Sequence, residues 1–291
     1  MNDKTEMIRT SVSVMISGWI VFLLILFFFT RSILPRLSSS SSPSSSTSSP
    51  SSFSSLSSST SPLIRVLTPN ETFQVIAAHS SFYETFFPRD WTQRNVTSYE
   101  DYMRLLQVEK TCEVCLTPPQ HQRLLHASQQ ADRILSRMTK LPYFDGRKAA
   151  EIEWIFGMFQ GRAYEFGYPH TIGEVILLPT HALDRGDQRL VRLLLHEKTH
   201  LYQKRFPEEI QLYLHHLRFR PVQTRTLHTT DIRPNPDTDN WIYEQEGGLG
   251  WYVMGVEQKL PAEKRDTNPQ YYEHPFERMA IEIERSDETS R

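Results

Sequence analysis

The chain has almost no cysteine. Of its 291 residues only Cys112 and Cys115 are cysteines, which excludes a fold held by a disulfide framework. The pair reads C-x-x-C, half of a four-thiolate metal site, and no second pair completes it. In a reducing compartment the pair reads as redox-active; in a lumenal domain a local disulfide or two free thiols is the plainer reading. A block of lysine and arginine is absent too. The 32 basic residues are scattered against 34 acidic ones, for a formal net charge of -2. With no nucleic-acid signature either, nucleic acid is not an expected partner.

Hydrophobic residues make up 38% of the chain, including 16 Phe, 12 Tyr and 5 Trp, enough for one sizeable core. Their distribution sets the domain plan. Residues 1–11 are a short polar tail. Residues 12–30, Val12 to Thr30, carry no charge and are long enough to span a bilayer. Arg31, Ile33, Leu34 and Pro35 follow, with no small-residue cleavage site, so an uncleaved signal anchor is expected rather than a signal peptide. Residues 31–62 become almost pure Ser with Pro and Thr, which cannot bury a core and predicts a disordered stalk. The folded domain is expected over 63–291. The flanking positive charges, Lys4 and Arg9 against Arg31 and Arg36, are balanced. Two glycosylation triplets beginning at Asn70 and Asn95 favour a type II single-pass membrane protein with its domain lumenal or extracellular.

Within that domain the spacing predicts a helix over 99–110 and another over 118–140. The latter carries Leu124, Ala127, Ala131, Ile134, Leu135 and Met138 at helical intervals. The β-branched run Thr171 to Leu178 predicts one strand, whose edge suits pairing with an extended peptide or only a core sheet. Asp187 is a candidate N-cap for a helix carried by Leu190, Leu193, Leu194 and Leu201 and stopped by Pro207. Residues 208–240 are mixed, ending in a loop-like stretch from Arg233 to Asn240. Trp241–Glu246 and Leu249–Met254 read as two strands about a glycine turn. Pro275 opens an amphipathic helix with Phe276, Met279, Ala280 and Ile283 on its apolar face.

The helix after Asp187 contains His196-Glu197-Lys198-Thr199-His200. Histidines four apart lie on one helix face, where two imidazoles can grip one Zn²⁺. Glu197 beside them is placed as general base for a zinc-activated water. A catalytic zinc takes three protein ligands. The three-histidine pattern is absent, because Arg205 stands where it requires glycine. The remaining pattern is a glutamate on a later helix. Glu277 fits, with the small Ala280 one turn on; Glu273, His274, Glu244 and Glu246 are the other donors available. Tyr252, Tyr271, Tyr272 and His228 are candidate oxyanion donors. Gln203, two turns after His196, is placed to position a ligand. His121, His126, His215 and His216 are left over.

On His196-Glu197-x-x-His200 and Glu277-x-x-Ala280 the chain resembles the gluzincin group of zinc metallopeptidases. Among these it is most similar to uncharacterised peptidase-like sequences with an H-E-K-x-H-x-x-Q segment and a later E-H-P-x-E helix. Outside the motifs the likeness is one of order and spacing. The resemblance implies a zincin-like α+β fold with zinc held between two helices, and hydrolysis of a peptide or protein substrate. Two other readings remain. Asp237-Thr-Asp239 is a D-x-D, which in a membrane-anchored Golgi-like glycosyltransferase holds a divalent metal against a nucleotide sugar. A zincin-like binding protein without activity is the other.

Overall fold

The computed structural model describes residues 64–138, 142–225, 233–247, 250–253 and 270–286. The expected tail at 1–11, the anchor at 12–30 and the stalk at 31–62 lie outside the described residues, as does His228. Among the described residues no helix is long and apolar enough to cross a membrane.

The chain begins with β1 (Ile64–Val66), followed by α1 (Pro69–Ala78), α2 (Ser80–Tyr83), α3 (Pro88–Gln93), α4 (Tyr99–Val108), α5 (Pro118–Leu135) and α6 (Gly146–Glu151). Thr68 with Glu71 and Thr117 with Gln120 form reciprocal capping boxes, each just before a proline. These satisfy the orphan N–H groups that open α1 and α5. The helix expected over 118–140 stops at Leu135, where the chain tightens into bonds from Arg137 and Met138 back to Ile134 and Leu135. Gly146 presses on the Leu135 carbonyl so closely that no Cβ fits there.

Then come β2 (Trp154–Phe159), β3 (His170–Ile172) and β4 (Val175–Pro179). The single strand expected from Thr171 to Leu178 is in fact a hairpin. Gly173, at φ +54°, turns the chain between Ile172 and Val175, a conformation that glycine adopts without a Cβ penalty. The resulting sheet has the order β1-β2-β4-β3, with β3 the antiparallel edge. Side chains alternate across it with period two. Phe156, Met158, Ile176 and Leu178 join Leu124, Ala131 and Leu135 of α5 in the main core. Phe159, Leu177 and Ile172 join Ile76, Tyr102 and Leu106 in a second core. Gly157 has no room for a Cβ between Leu177 and Thr72, so α1 lies close on that second face.

The central helix α7 (Asp187–Arg205) and α8 (Pro207–His216) follow. Asp187 does not cap α7. Gly186 is the N-cap, without a side-chain bond, and Asp187 pairs instead with Arg123 at 2.8 Å. Pro207 ends α7 and also opens α8, a helix that the mixed composition of 208–240 does not announce. From Glu197 to Gln203 every residue of α7 is buried. Lys198 lies away from the histidines, its Nζ 3.7 Å from the centre of the Trp154 ring and bonded to the Ile152 carbonyl.

A second sheet, β5 (Phe219–Thr224), β6 (Trp241–Gln245), β7 (Gly250–Val253) and β8 (Gln270–Glu273), has sequential order, with β7 and β8 parallel. The β6–β7 pair is the expected one; β5 and β8 are additional. α9 (Pro275–Ser286) leaves β8 and packs along α7. Ala280 and Ile283 are fully buried and Met279 nearly so, which is the apolar face expected of this helix. The described domain is therefore mixed α+β. The sequons are accessible: Asn70 is exposed on α1 and Asn95 in a turn. Cys112 is buried, Cys115 exposed, and both are free thiols.

Candidate metal centre

The α7–α9 contact brings three donors together. His196 Nε2 lies 3.1 Å from His200 Nε2 and 3.2 Å from Glu277 Oε2, and His200 Nε2 lies 3.6 Å from the same oxygen. Metal–ligand bonds of about 2.0–2.1 Å at tetrahedral angles put donor atoms about 3.3 Å apart. The three separations bracket that value. His196, His200 and Glu277 thus form a group that could hold a metal ion. His200 and Glu277 are buried and His196 half-buried.

The neighbours orient the donors. His200 Nδ1 lies 2.9 Å from Gln203 Oε1. An amide oxygen only accepts, so Nδ1 carries the proton and Nε2 keeps its lone pair. The Gln203 amide donates onward to the Phe276 carbonyl at 2.8 Å, tying α7 to α9 one residue before Glu277. His196 Nδ1 faces Glu284 Oε2 at 3.3 Å, which selects the same tautomer. Asn235 Nδ2 donates to Glu277 Oε1 at 2.6 Å, leaving Oε2 for the histidines. Asn235 is itself fixed, since its Oδ1 accepts the Asp237 N–H at 2.9 Å.

Burial opposes protonation of His196, yet the Glu277 and Glu284 carboxylates outweigh it and raise its pKa well above the usual value. Burial also disfavours charged Glu277, but His200 and His196 hold it well below the usual carboxylate range. Glu197 differs. Burial, then the Asp237 charge, push its carboxyl up to about 8. Its Oε2 is buried without a hydrogen-bond partner. Buried polar atoms in folded proteins are rarely left without a partner.

The other sequence candidates are placed elsewhere. His274 is buried against Asp239 at 3.2 Å, Glu244 pairs with Arg220 and Glu246 with Arg218. Glu273 lines the pocket without joining the three donors. Asp237 and Asp239 of the D-x-D serve different partners. Asp237 accepts from the Thr171 N–H and hydroxyl at 2.6 and 2.7 Å; Asp239 accepts from Tyr243 and Trp241. Tyr252, Tyr271 and Tyr272 fall on β7 and β8, where Tyr252 pairs with Tyr272. His121, His126, His215 and His216 are exposed and apart from the cluster.

The β3 edge is not open to a peptide strand. Thr171, whose N–H faces away from β4, already donates it to Asp237, and its carbonyl accepts from Lys204 Nζ at 2.7 Å. Side chains cap the edge, as natural sheets commonly arrange. The accessible space is instead a pocket of about 280 Å³ beside Glu277, walled by His170, Tyr168, Asn235, Asp237 and Glu273. Glu284 and Asn235 were not anticipated. Glu284 had a signal, lying two turns after Glu277 on the same face. Compared with known proteins, the chain matches no family model, no curated protein and no solved structure.

Proposed function

We propose that the chain is a zinc-dependent peptidase in which His196, His200 and Glu277 hold the metal and Glu197 is the general base. The observation that carries this reading is the convergence of two Nε2 lone pairs and one carboxylate oxygen at tetrahedral donor spacing. The donor set of two histidines and one glutamate is that of hydrolytic zinc sites. A second support is the unpartnered Oε2 of Glu197, one residue from the first histidine. The mixed α+β domain, with the donors brought together between the motif helix and a later glutamate helix, agrees with the zincin-like fold that the motif resemblance implies.

Bound there, zinc supplies Lewis acidity that lowers the pKa of a water towards about 7 and polarises a carbonyl. The protein's own groups do the rest. Gln203 and Glu284 engage the two Nδ1 atoms, so each Nε2 is the atom that would give up its proton and face the metal. Asn235 occupies one Glu277 oxygen and turns the other inward. With the charge of the metal beside it, Glu197 would ionise, take the proton of the attacking water and return it to the leaving amine. Residues 12–30 anchor the domain to a membrane on this reading, with the stalk at 31–62 as spacer. The test is hydrolysis of a peptide library by the purified protein. Cleavage should stop on chelation and return with added Zn²⁺. Cleavage indifferent to chelation, or none with Zn²⁺ supplied, contradicts the proposal.

A further inference from the structure

A second pocket, of about 600 Å³, adjoins the first and shares Tyr168 and Arg233 with it. The two have opposite character. Glu165, Asp237, Glu273 and Glu277 line the pocket beside the candidate metal centre. Among the described residues, Arg162, Arg185, Arg233 and His181 line the second, and no carboxylate does. In a chain of net charge -2 with scattered basic residues, three guanidinium groups around one hollow are a local concentration.

The hollow is also shaped. Gly161 and Gly167 form part of its wall at φ +74° and +79°. A Cβ on Gly167 would stand 3.1 Å from the Gly161 carbonyl oxygen and 3.4 Å from His181 Cε1. Arg233 is held by two rings, 4.1 Å from the centre of Phe166 and 5.3 Å from that of Tyr168, a geometry with cation–π attraction. Glu165 and Phe166 have φ of +40° and +58°, costly for residues with side chains. The buried Arg94–Glu165 pair fixes them there. The wall between the pockets is thus held in a backbone conformation that local preference opposes. Arg233 stands two residues from Asn235, which touches Glu277, so one loop serves both hollows.

We propose that this second pocket is a subsite for a carboxylate of the substrate; the assignment of the ligand as substrate rests on the peptidase reading. Arginine pairs with a carboxylate through two parallel N–H donors. A peptide lying across the first pocket can reach past Tyr168 and set a carboxylate against the guanidinium groups of the second. The carboxylate belongs either to an acidic side chain or to the free C-terminus.

Direct binding separates the sources. The probes are three fluorescein-labelled hexapeptides: one Glu with an amidated end, Gln with an amidated end, and Gln with a free carboxyl end. Polarisation is read on the full-length protein carrying Glu197→Gln, so that no probe is consumed. At least one carboxylate probe should bind about tenfold or more tightly than the neutral one, the effect expected of hydrogen bonds to a charged group. Preference for Glu assigns the site to side chains; preference for the free end assigns it to C-termini. Arg162→Glu with Arg185→Glu should remove the preference. Arg162→Gln with Arg185→Gln gives the same direction if charge reversal impairs folding. Equal binding of all three probes, or a preference that survives both double variants, overturns the subsite. Because this readout needs no cleavage, a failed peptidase reading shows up separately, as absent hydrolysis by wild type.

Discussion

Glu197→Gln is expected to retain the metal and to lower kcat on any cleaved peptide by about 10²–10⁴-fold, the usual contribution of a general base. The substitution is nearly isosteric, so the fully packed surroundings of this residue on α7 are kept. Glu197 is not one of the three convergent donors. What the amide lacks is a proton-accepting oxygen of carboxylate basicity. Oε2 has no hydrogen-bond partner to lose, so a fall in activity cannot be assigned to a broken structural bond. The check is kcat beside metal content for the same preparation. Full activity in this variant rules Glu197 out as the base. Lost metal would make it a structural support of the site.

Arg94→Ala is expected to destabilise the fold by about 3–5 kcal/mol at neutral pH, the cost of leaving one member of a buried ion pair unpaired. The guanidinium bonds both Glu165 oxygens, at 3.2 and 2.5 Å, and the Asp90 carbonyl at 3.0 Å. It also covers the Phe86 ring at 4.4 Å. Tyr102 donates to the same carboxylate at 3.0 Å. Burial alone would raise the Glu165 pKa, but Arg94 outweighs it and holds the carboxyl below its usual value. A depressed folded-state pKa stabilises above the unfolded value of about 4.3 and loses that stabilisation as pH falls through the folded value. Without Arg94 the carboxyl is left buried and is driven towards protonation. The gap between wild type and variant should therefore be widest near pH 7 and narrow as Glu165 protonates on acidification. Urea midpoints across that range measure it. Adding Glu165→Gln to the variant should recover part of the loss. A gap that does not change with pH would assign the effect to packing instead.

Local pattern revealed the elements whose signals are local. His196 and His200 stand four apart inside a leucine-rich run, so a helix presenting both on one face was legible before any fold was known. Pro275 with Phe276, Met279, Ala280 and Ile283 announced α9 in the same way. The Gly173 hairpin was hidden because Ile172 to Leu178 is apolar on both sides of the turn, and a two-residue reversal changes little in that pattern. Pro207 was read as a stop when it is both a stop and a start. The contacts of Asn235 and Glu284 are tertiary: nothing in a Pro-Asn-Pro turn says which carboxylate its amide will meet. The arginine hollow draws on residues 161–168, 181–185 and 233, which no sequence window joins.

The central claim is that α7 and α9 together hold one metal ion. The measurement that tests it most directly is zinc content of full-length wild type beside Glu277→Ala, after exposure to Zn²⁺ and removal of excess. The account expects close to one zinc per chain in wild type and marked loss in the variant, with both proteins folded by circular dichroism. Wild type without zinc, or a variant that holds it as tightly, would contradict the account.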